Sequence, residues 1–487
     1  HVMRSYLPDE AYDGIVEAME KGTPFTLQSE HKKILADTLT PVSVYLKIRD
    51  VFPHSLLLES SDYHANNNDF SYICCNPIAS IALQNNKLTT HYPDGSSEEL
   101  IVTPDTDIPE KIHSFSQQFK TKKYPFKFIS NGIFGYIAHD AIEHFEQIEL
   151  NKKKEGHDIP DIYYAVYQNI IAISLFNHEA HLFSHSSDSQ NNLEQLEQLI
   201  NGKQQSKFRF GKKGEKSSNL TDAEFVEFVN QGKQHCYRGD VFQLVLSRRF
   251  SQGFQGDDFN VYRTLRSINP SPYLFYFDYG DFKIFGSSPE AQLVVQDGKA
   301  EIHPIAGTFK RTGNDEEDAV AALELSKDPK ENSEHVMLVD LARNDLSRNG
   351  SEVVVEKNRE IQFYSHVIHL VSKVSCKMKA AAKTFRVVAD TFPAGTLSGA
   401  PKHKALQLID RYEKTKRNFY GGAIGYLDFD GNFNHAIIIR SFLSQHNQLH
   451  YQAGAGIVAD SVPENELQEV YNKLGALDKA LSLAEKV

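Results

Sequence analysis

Cysteine is scarce in this sequence of 487 residues, which contains four: Cys74, Cys75, Cys236 and Cys376. Two of them are adjacent, and the spacing of the four is typical neither of a disulfide framework nor of a zinc site. These absences argue against a disulfide-stapled secreted domain and against a cysteine-ligated zinc protein. A reducing, cytoplasmic location is the expectation.

Long apolar runs are also missing. The longest, around 170–176, is far shorter than the roughly 20 residues that cross a bilayer. The segment His1–Tyr6 has no basic stretch followed by an apolar one, so no secretion signal is expected. The net charge of -12 opposes attraction to nucleic acid or to an anionic membrane, and no glycine-rich phosphate loop is present. We therefore expect a soluble protein with neither nucleic acid nor membrane as a partner.

The composition is that of a globular enzyme, with 40% hydrophobic and 24% charged residues, and the length predicts two substructures. Polar and basic residues at Asn201–Ser218 indicate a surface linker, after which Thr221 and Glu224 form the capping box of a helix. Before the linker the sequence is mainly strand-like, whereas helical and strand-like stretches alternate after it. The prediction is an α+β fold with an N-terminal region at 1–218 and a catalytic region at 219–487.

Two pairs of glutamates are spaced three residues apart on predicted helices, Glu331 with Glu334 and Glu466 with Glu469. At this spacing both carboxylates lie on one helix face, and Lys473 continues the stripe of the second pair. Taken alone, such a pair usually marks a solvated helix face. Two converging pairs would instead suit Mg²⁺, which prefers hard oxygen ligands.

Six longer strings in the second half are more specific. They are GDVFQLVLSRRF at Gly239–Phe250, PIAGT at Pro304–Thr308, EHVMLVDLARND at Glu334–Asp345, FPAGTLSGAPK at Phe392–Lys402, YGGAIGY at Tyr420–Tyr426 and QAGAGIVAD at Gln452–Asp460. Together they resemble the chorismate-utilising enzymes, and most closely the anthranilate synthase component I family. The resemblance covers 221–477 strongly and the first half more weakly. It implies packed antiparallel β-sheets surrounded by helices, with the active site in a cleft of the C-terminal part.

The resemblance also implies a magnesium site. Glu334 and Glu469 would be the principal ligands, with Glu331 and Glu466 beside them or acting through water. Chorismate is a dianion, and a pocket lined by glutamates could accept it only if a divalent cation inverted the local charge.

Groups that bind and convert chorismate are implied in the same way. Arg440 and Lys473 would contact the other substrate carboxylate, and Tyr420 would add a hydrogen bond. Glu290 matches the general acid that protonates the leaving hydroxyl. His369 matches a histidine beside the substrate that is linked to the elimination of pyruvate. Without the resemblance, a histidine flanked by apolar residues is more often a core residue.

Two glycine-containing loops are implied substrate-binding elements, because glycine lets backbone N–H groups approach carboxylate oxygens closely. Their residues are Gly307 and Thr308 in one loop, and Gly454, Ala455 and Gly456 in the other. Thr396 would supply a hydroxyl to the same pocket. As isolated pairs, such glycines more often mark plain turns.

Two uncharged residues reduce the number of family reactions that this chain is expected to catalyse. Relatives that add water to chorismate carry a lysine base where this chain has Gln243, and an amide cannot deprotonate water, so ammonia is the expected nucleophile. Many aminodeoxychorismate synthases, which lead to p-aminobenzoate and folate, carry lysine where this chain has Ala306. The resemblance thus implies anthranilate as product, with aminodeoxychorismate as the alternative. A non-catalytic amino-acid-binding or assembly subunit is a third hypothesis. It predicts that the catalytic and metal-binding residues are replaced by others.

An inhibitor site is implied in the N-terminal half. Leu57-Leu58-Glu59-Ser60 resembles a tryptophan feedback site, and Asn269–Tyr273 would face it. The implied contacts with tryptophan are Glu59, Ser60, Pro272 and Tyr273. A buried strand that ends at a hydroxyl is the simpler interpretation of the first motif.

The source of ammonia is expected to be a separate glutamine amidotransferase subunit. A glutaminase needs a nucleophilic cysteine on a tight, glycine-flanked turn, and none of the four cysteines has a flanking glycine. The family-like region also runs almost to residue 487, which agrees with this expectation.

Overall fold

The computed structural model describes residues 25–60, 69–363, 367–380 and 382–487, and the side chains of Ser60, Ala306, Thr308 and Lys330 lie outside this description. Strands β1 and β7 form a small parallel pair, and the other described strands join one connected antiparallel sheet. Helices cover it. The predicted α+β class, with antiparallel sheets surrounded by helices, is confirmed.

The strands, in chain order, are β1 (Phe25–Thr26), β2 (Gln28–Leu35), β3 (Leu56–Ser60), β4 (Ser71–Gln84), β5 (Lys87–His91), β6 (Ser97–Ile101), β7 (Phe119–Lys120), β8 (Ile133–Ile137), β9 (Ile162–Ser174), β10 (Glu179–Ser186), β11 (Phe210–Ser218), β12 (Gln243–Gly256), β13 (Tyr273–Asp278), β14 (Phe282–Ser288), β15 (Ala291–Gln296), β16 (Lys299–Ile302), β17 (Ile305–Lys310), β18 (Gly350–Phe363), β19 (Val367–Met378), β20 (Gly399–Ala400), β21 (Ala423–Leu427), β22 (Phe433–Ile437), β23 (Ser441–Gln445) and β24 (Gln448–Ile457).

The helices are α1 (Pro41–Ile48), α2 (Ile108–Gln117), α3 (Leu193–Asn201), α4 (Asp222–Tyr237), α5 (Phe259–Ile268), α6 (Asp315–Lys327), α7 (Pro329–Ser347), α8 (Thr384–Thr391), α9 (Gly395–Ser398), α10 (Lys402–Tyr412) and α11 (Pro463–Ala484), with a 3₁₀ turn at His139–His144. The capping box predicted at Thr221 and Glu224 is confirmed, since each side chain bonds the other residue's backbone N–H at the start of α4.

The sheet branches at β9. One branch runs in the order β9–β4–β3–β13–β14–β23–β24–β12–β11, and the other runs β9–β8–β21–β22–β15–β16–β19, with β17 and β18 paired to β19. Side chains from both branches, among them Leu58, Phe134, Phe275 and Ile424, pack in one buried cluster. One buried cluster therefore lies where the two branches face each other, and a larger one joins strand residues to helix residues such as Val44, Phe225 and Leu474.

The two halves of the chain share this sheet. Strand β3 of the first half pairs with β13 of the second, and Glu59 lies opposite Leu274 in that pair. Strand β8 pairs in the same way with β21. The pairing of β3 with β13 and of β13 with β14 places the N-terminal half next to the strand that leads to Glu290.

The linker expected at Asn201–Ser218 is wrong for its second part. Residues Phe210–Ser218 form β11, which pairs with β12. The strand is exposed along nearly its whole length and rich in lysine, and Lys216 approaches Asp478 of α11 at 3.1 Å. Charged, solvated residues are typical of a sheet edge, where one partner strand supplies the hydrogen bonds. Among the described residues, no helix is long and apolar enough to cross a membrane.

Candidate active site

Glu290 follows directly from the end of β14, and Pro289 turns the chain at that point. Its carboxyl is 9% exposed and accepts a hydrogen bond from the Thr396 hydroxyl at 3.2 Å. Burial raises the pKa of Glu290 to about 8, because the charged form loses water, and this outweighs the opposing effects of Thr396 and of the Lys473 charge. A carboxyl in this state holds its proton at neutral pH and can donate it.

Thr396 reaches Glu290 from the short helix α9, which follows the cis peptide bond Phe392-Pro393. The sequence predicted that the two residues share a pocket, and the structure brings them together although 106 positions separate them.

Lys473 lies near this carboxyl, and Arg440 lies near Lys473. Lys473, on α11, donates to the Gly454 carbonyl at 2.7 Å and lies 3.2 Å from Glu469. Burial lowers the pKa of Lys473, and the nearby charge of Arg440 lowers it further, while Glu469 and Glu466 oppose both. Burial also lowers the pKa of Arg440. Two cations held close together in a buried place favour the binding of an anion.

The two glycine-containing stretches are strands and not the predicted loops, because Gly307 and Thr308 lie in β17 and residues 454–456 lie in β24. Tyr420 and the second of these stretches complete one wall of the site. The Tyr420 hydroxyl is bonded to the Gly454 backbone, and burial raises the pKa of this phenol to about 12, so it remains a neutral donor. A Cβ atom on Gly454 would lie 2.7 Å from the Leu246 carbonyl, which leaves room for glycine alone. Gly456 packs on the side-chain amide of Gln243, and Ala455 is fully buried between them.

His369 lies on β19, opposite Thr308 of β17. Its ring is 2% exposed, and burial lowers the pKa of His369 to about 4, with Arg440 adding to the effect and a hydrogen bond to the Gly307 backbone opposing it. The ring is therefore neutral at pH 7. The predicted contact of the Thr308 hydroxyl with substrate lies outside the described residues.

The sequence as a whole matches a known family. The family model described as chorismate binding enzyme matches residues 55–479. The chain belongs to the chorismate binding enzyme family. The predicted resemblance is thereby confirmed, and so is the expectation of an enzyme.

The relatives of this chorismate binding enzyme agree with the match. Anthranilate synthase component 1 from Aquifex aeolicus (strain VF5) is 35% identical over 474 residues, covering 94% of this chain and 95% of the relative. The protein of the same name from Bacillus subtilis (strain 168) is 36% identical over 479 residues, covering 92% and 91%. The crystal structure of anthranilate synthase component I from Streptococcus pneumoniae TIGR4 superposes with a TM-score of 0.71 at 30% identity, covering 92% of this chain and 99% of that one.

The fold extends to members with other names. The menaquinone-specific isochorismate synthase MenF from Escherichia coli superposes with a TM-score of 0.69 at 17% identity, covering 96% of this chain and 98% of that one. At this identity the likeness concerns the fold.

The four predicted metal ligands of this chorismate binding enzyme lie on two helices, Glu331 and Glu334 on α7 and Glu466 and Glu469 on α11. Glu466 is buried, whereas Glu469 is half exposed and paired with Lys473. Carboxylate oxygens fit Mg²⁺ in chemical type. In the part of the chain that the structure describes, no group of three or more His, Cys, Asp and Glu side chains is arranged as a metal site. The convergence of both pairs on one cation stays a prediction.

The residues of the predicted inhibitor site separate into two groups. Pro272 and Tyr273 line a cavity of about 910 Å³ that also reaches Glu290. Glu59 instead points to α5, where it accepts hydrogen bonds from Arg266 at 2.8 and 2.9 Å and from the Tyr262 hydroxyl. The Ser60 side chain lies outside the described residues, although its backbone pairs with Tyr273.

Sequence reasoning missed a buried ion pair beneath the site. Arg417 forms two hydrogen bonds of 2.8 Å with Glu413, and it also donates to the backbone carbonyls of Leu397 and Val245. The Arg417 guanidinium lies 5.4 Å from the centre of the Tyr420 ring. The pair thus ties α9, β12 and Tyr420 together. The spacing of four between Glu413 and Arg417 was the available signal.

Proposed function

We propose that this chain aminates chorismate with ammonia and eliminates pyruvate, which gives anthranilate, the first product committed to tryptophan synthesis. Ammonia forms a C–N bond to the ring, and the ring hydroxyl leaves as water after it takes a proton. The added nitrogen releases a proton. The ring C–O bond to the enolpyruvyl group then breaks, and the hydrogen on the ring carbon that carries the nitrogen passes as a proton to the enolpyruvyl methylene, so that pyruvate leaves and the ring becomes aromatic. Chorismate and ammonia are thereby converted to anthranilate, pyruvate and water.

The observation that carries this proposal is the protonated, buried carboxyl of Glu290. A hydroxyl is a poor leaving group, and an acid beside it lowers the barrier by roughly 10²–10⁴-fold in rate. With a pKa of about 8, Glu290 keeps its proton at neutral pH while remaining acidic enough to give it up. Thr396, at 3.2 Å, fixes the direction in which the carboxyl points.

Binding of the substrate dianion is assigned to the groups around Glu290. Arg440 and Lys473 would hold one carboxylate, helped by Tyr420 and by the backbone of Gly454–Gly456. Glu334 and Glu469, with Glu331 and Glu466 beside them, would hold Mg²⁺, which when bound supplies positive charge to the other carboxylate. His369, neutral at pH 7, is available to move a proton during the loss of pyruvate.

A partner and an inhibitor complete the proposal. Ammonia would come from a separate glutamine amidotransferase subunit, and the reaction would take place in the cytoplasm. Tryptophan would bind against Pro272 and Tyr273 and reduce the affinity for chorismate. The names of the relatives, anthranilate synthase component 1, support this assignment.

The test is incubation of the purified chain with chorismate, Mg²⁺ and ammonium at about pH 8.5, where more ammonia is uncharged. Fluorescent anthranilate and an equal amount of pyruvate, both suppressed by tryptophan, are the expected products. Aminodeoxychorismate as product would instead favour the folate branch, and no turnover would favour a non-catalytic subunit. Omission of Mg²⁺ is the matched control.

A further inference from the structure

The segment that carries Glu290 and the segment that carries Arg440 are joined by two backbone hydrogen bonds. Ser287 N–H donates to the Arg440 carbonyl at 3.1 Å, and Ile437 N–H donates to the Glu290 carbonyl at 2.9 Å. We call these two segments, 287–290 and 437–440, the acid–arginine unit. Because the bonds lie at both ends of the unit, a shift of one segment displaces the other.

A third hydrogen bond connects this unit to the predicted inhibitor side. The Ser287 hydroxyl donates to the Asn269 carbonyl at 2.5 Å. Ser287 is fully buried, and Asn269 is the first residue of the loop Asn269–Tyr273. Asn269 is partly buried, so the bond is shielded from much of the competing water and links the position of Asn269 to that of Ser287.

The other end of the same loop is fastened to the same strand. Tyr273, which begins β13, lies opposite Ser288 of β14 on one side and opposite Ser60 of β3 on the other. One residue further, Leu274 lies between Ser287 and Glu59. Both ends of the loop Asn269–Tyr273 are therefore held by β14, one or two residues before the chain reaches Pro289 and Glu290.

Arg440 is in a backbone conformation that other contacts must maintain. Its φ is +51°, in the left-handed region that costs a residue other than glycine on the order of 1 kcal/mol. The bond from Ser287 N–H to its carbonyl is one such contact, and the neighbouring turn, with Ile439 N–H donating to Ile437 at 2.9 Å, is another. Loss of one of these contacts would let the residue relax toward a negative φ.

We propose that Ser287 is the positioning residue that couples the loop Asn269–Tyr273 to the chorismate site. Tryptophan bound against Pro272 and Tyr273 would shift the loop, and Ser287 would pass the shift to the acid–arginine unit. Arg440 would then leave the orientation that binds chorismate, and the affinity for chorismate would fall. The proposal rests on the tryptophan inhibition put forward above, and it states how that inhibition reaches the substrate.

The experiment compares Ser287→Ala with Ser441→Ala in the full chain. Ser441 is the matched control, because it is also buried and adjoins Arg440, but its hydroxyl donates to Ile439 at 2.6 Å and not to the inhibitor-side loop. The chain contains no tryptophan, so the indole fluorescence of added tryptophan reports its binding directly when chorismate is left out. The apparent KM for chorismate is measured with and without saturating tryptophan.

In the parent chain, tryptophan should raise the apparent KM for chorismate by a factor of about 5–150, the usual range of coupling between two sites. Ser287→Ala should reduce this factor at least fivefold, while the Kd of tryptophan without chorismate changes less than about threefold. Ser441→Ala should keep the full factor. Where Ser287→Ala fails to fold, Ser287→Cys nearly keeps the volume, weakens the donor and should reduce the factor in the same direction.

The outcomes separate the two proposals. An unchanged coupling factor in the folded Ser287 variant would overturn the role of Ser287 and leave tryptophan inhibition standing. A loss of tryptophan affinity equal to the loss of coupling would show that Ser287 shapes the inhibitor pocket, which also overturns the proposal. No inhibition of the parent chain would overturn the inhibition itself, and with it the route.

Discussion

Two buried carboxyls flank the same strand and have opposite surroundings. Glu59, on β3, is 6% exposed and has its charge paired with Arg266 on α5. Glu290, at the end of β14, is 9% exposed, and among the described residues its carboxyl accepts one side-chain hydrogen bond, from Thr396. The surroundings differ because Arg266 bonds Glu59 directly, whereas Lys473, the cation that acts on Glu290, donates to the Gly454 carbonyl and pairs with Glu469. Glu59 binds α5 to β3 through Arg266, whereas Glu290 holds a proton at neutral pH.

The largest expected effect comes from the same substitution at each carboxyl. Glu290→Gln keeps the shape but removes the acid, so kcat should fall roughly 10²–10⁴-fold without a fall in the free energy of unfolding. Glu59→Gln should lower the free energy of unfolding by about 2 kcal/mol, the size expected for hydrogen bonds to a charged group, and should cost at least tenfold less in kcat. Steady-state kinetics and urea unfolding of both variants measure this. Equal losses of kcat would end the distinction between the two residues.

Glu469 is an intermediate case, since it is half exposed and its partner Lys473 faces Glu290. If it is a magnesium ligand, Glu469→Gln should raise the Mg²⁺ concentration needed for half-maximal activity by about 10–100-fold, at least as much as the loss of a group that supports a ligand. Glu464→Gln, five residues earlier on α11 and exposed, is the matched control and should leave the Mg²⁺ requirement unchanged. Magnesium titrations with ammonium as nitrogen source decide between these results, and an unaltered requirement in Glu469→Gln contradicts the ligand assignment.

The pH dependence sharpens the contrast further. The ordinary pKa of a glutamate is 4.5, and the pKa of Glu290 in the folded chain is about 8. Because the protonated form is the active one, kcat at saturating uncharged ammonia should fall about tenfold per pH unit above pH 8. The folded state also binds this proton more tightly than the unfolded state, so the contribution of Glu290 to stability should decrease as the pH rises from about 4.5 to 8. Glu290→Gln should remove both dependences, and a persistent alkaline loss of kcat would assign it to another group.

The sequence indicated more of the candidate site residues than of the strands around them. Glu290, Thr396 and Lys473 each belong to a motif or helix recognisable by itself, and in the structure Thr396 bonds the Glu290 carboxyl while the Lys473 charge acts on it. Strand β11 was not predicted, because lysine, glycine and serine have low strand propensity, and its pairing with β12 is what makes it a strand.

Contacts that depend on strand register could not be predicted. Nothing in the spacing of Asn269 and Ser287 indicates a hydrogen bond, which arises because β13 and β14 pair with Tyr273 opposite Ser288. The partner of Glu59 was missed for the same reason, since Arg266 lies 207 positions away on a helix that packs beside β3 only in the folded chain.

The smallest expected effect isolates what Glu59 does. Tyr262→Phe removes one neutral hydrogen-bond donor from the Glu59 carboxylate but leaves Arg266, so the free energy of unfolding should fall by about 1 kcal/mol. Tyr276→Phe is the matched control, because the buried Tyr276 hydroxyl donates in the same way to Asp258, at 2.6 Å, away from Glu59. Urea unfolding should give similar losses for both variants, and kcat should stay unchanged in both. If Tyr262→Phe alone lowered kcat, the network around Glu59 would affect catalysis as well as folding. Glu59 and Glu290 would then differ only in how strongly each affects catalysis.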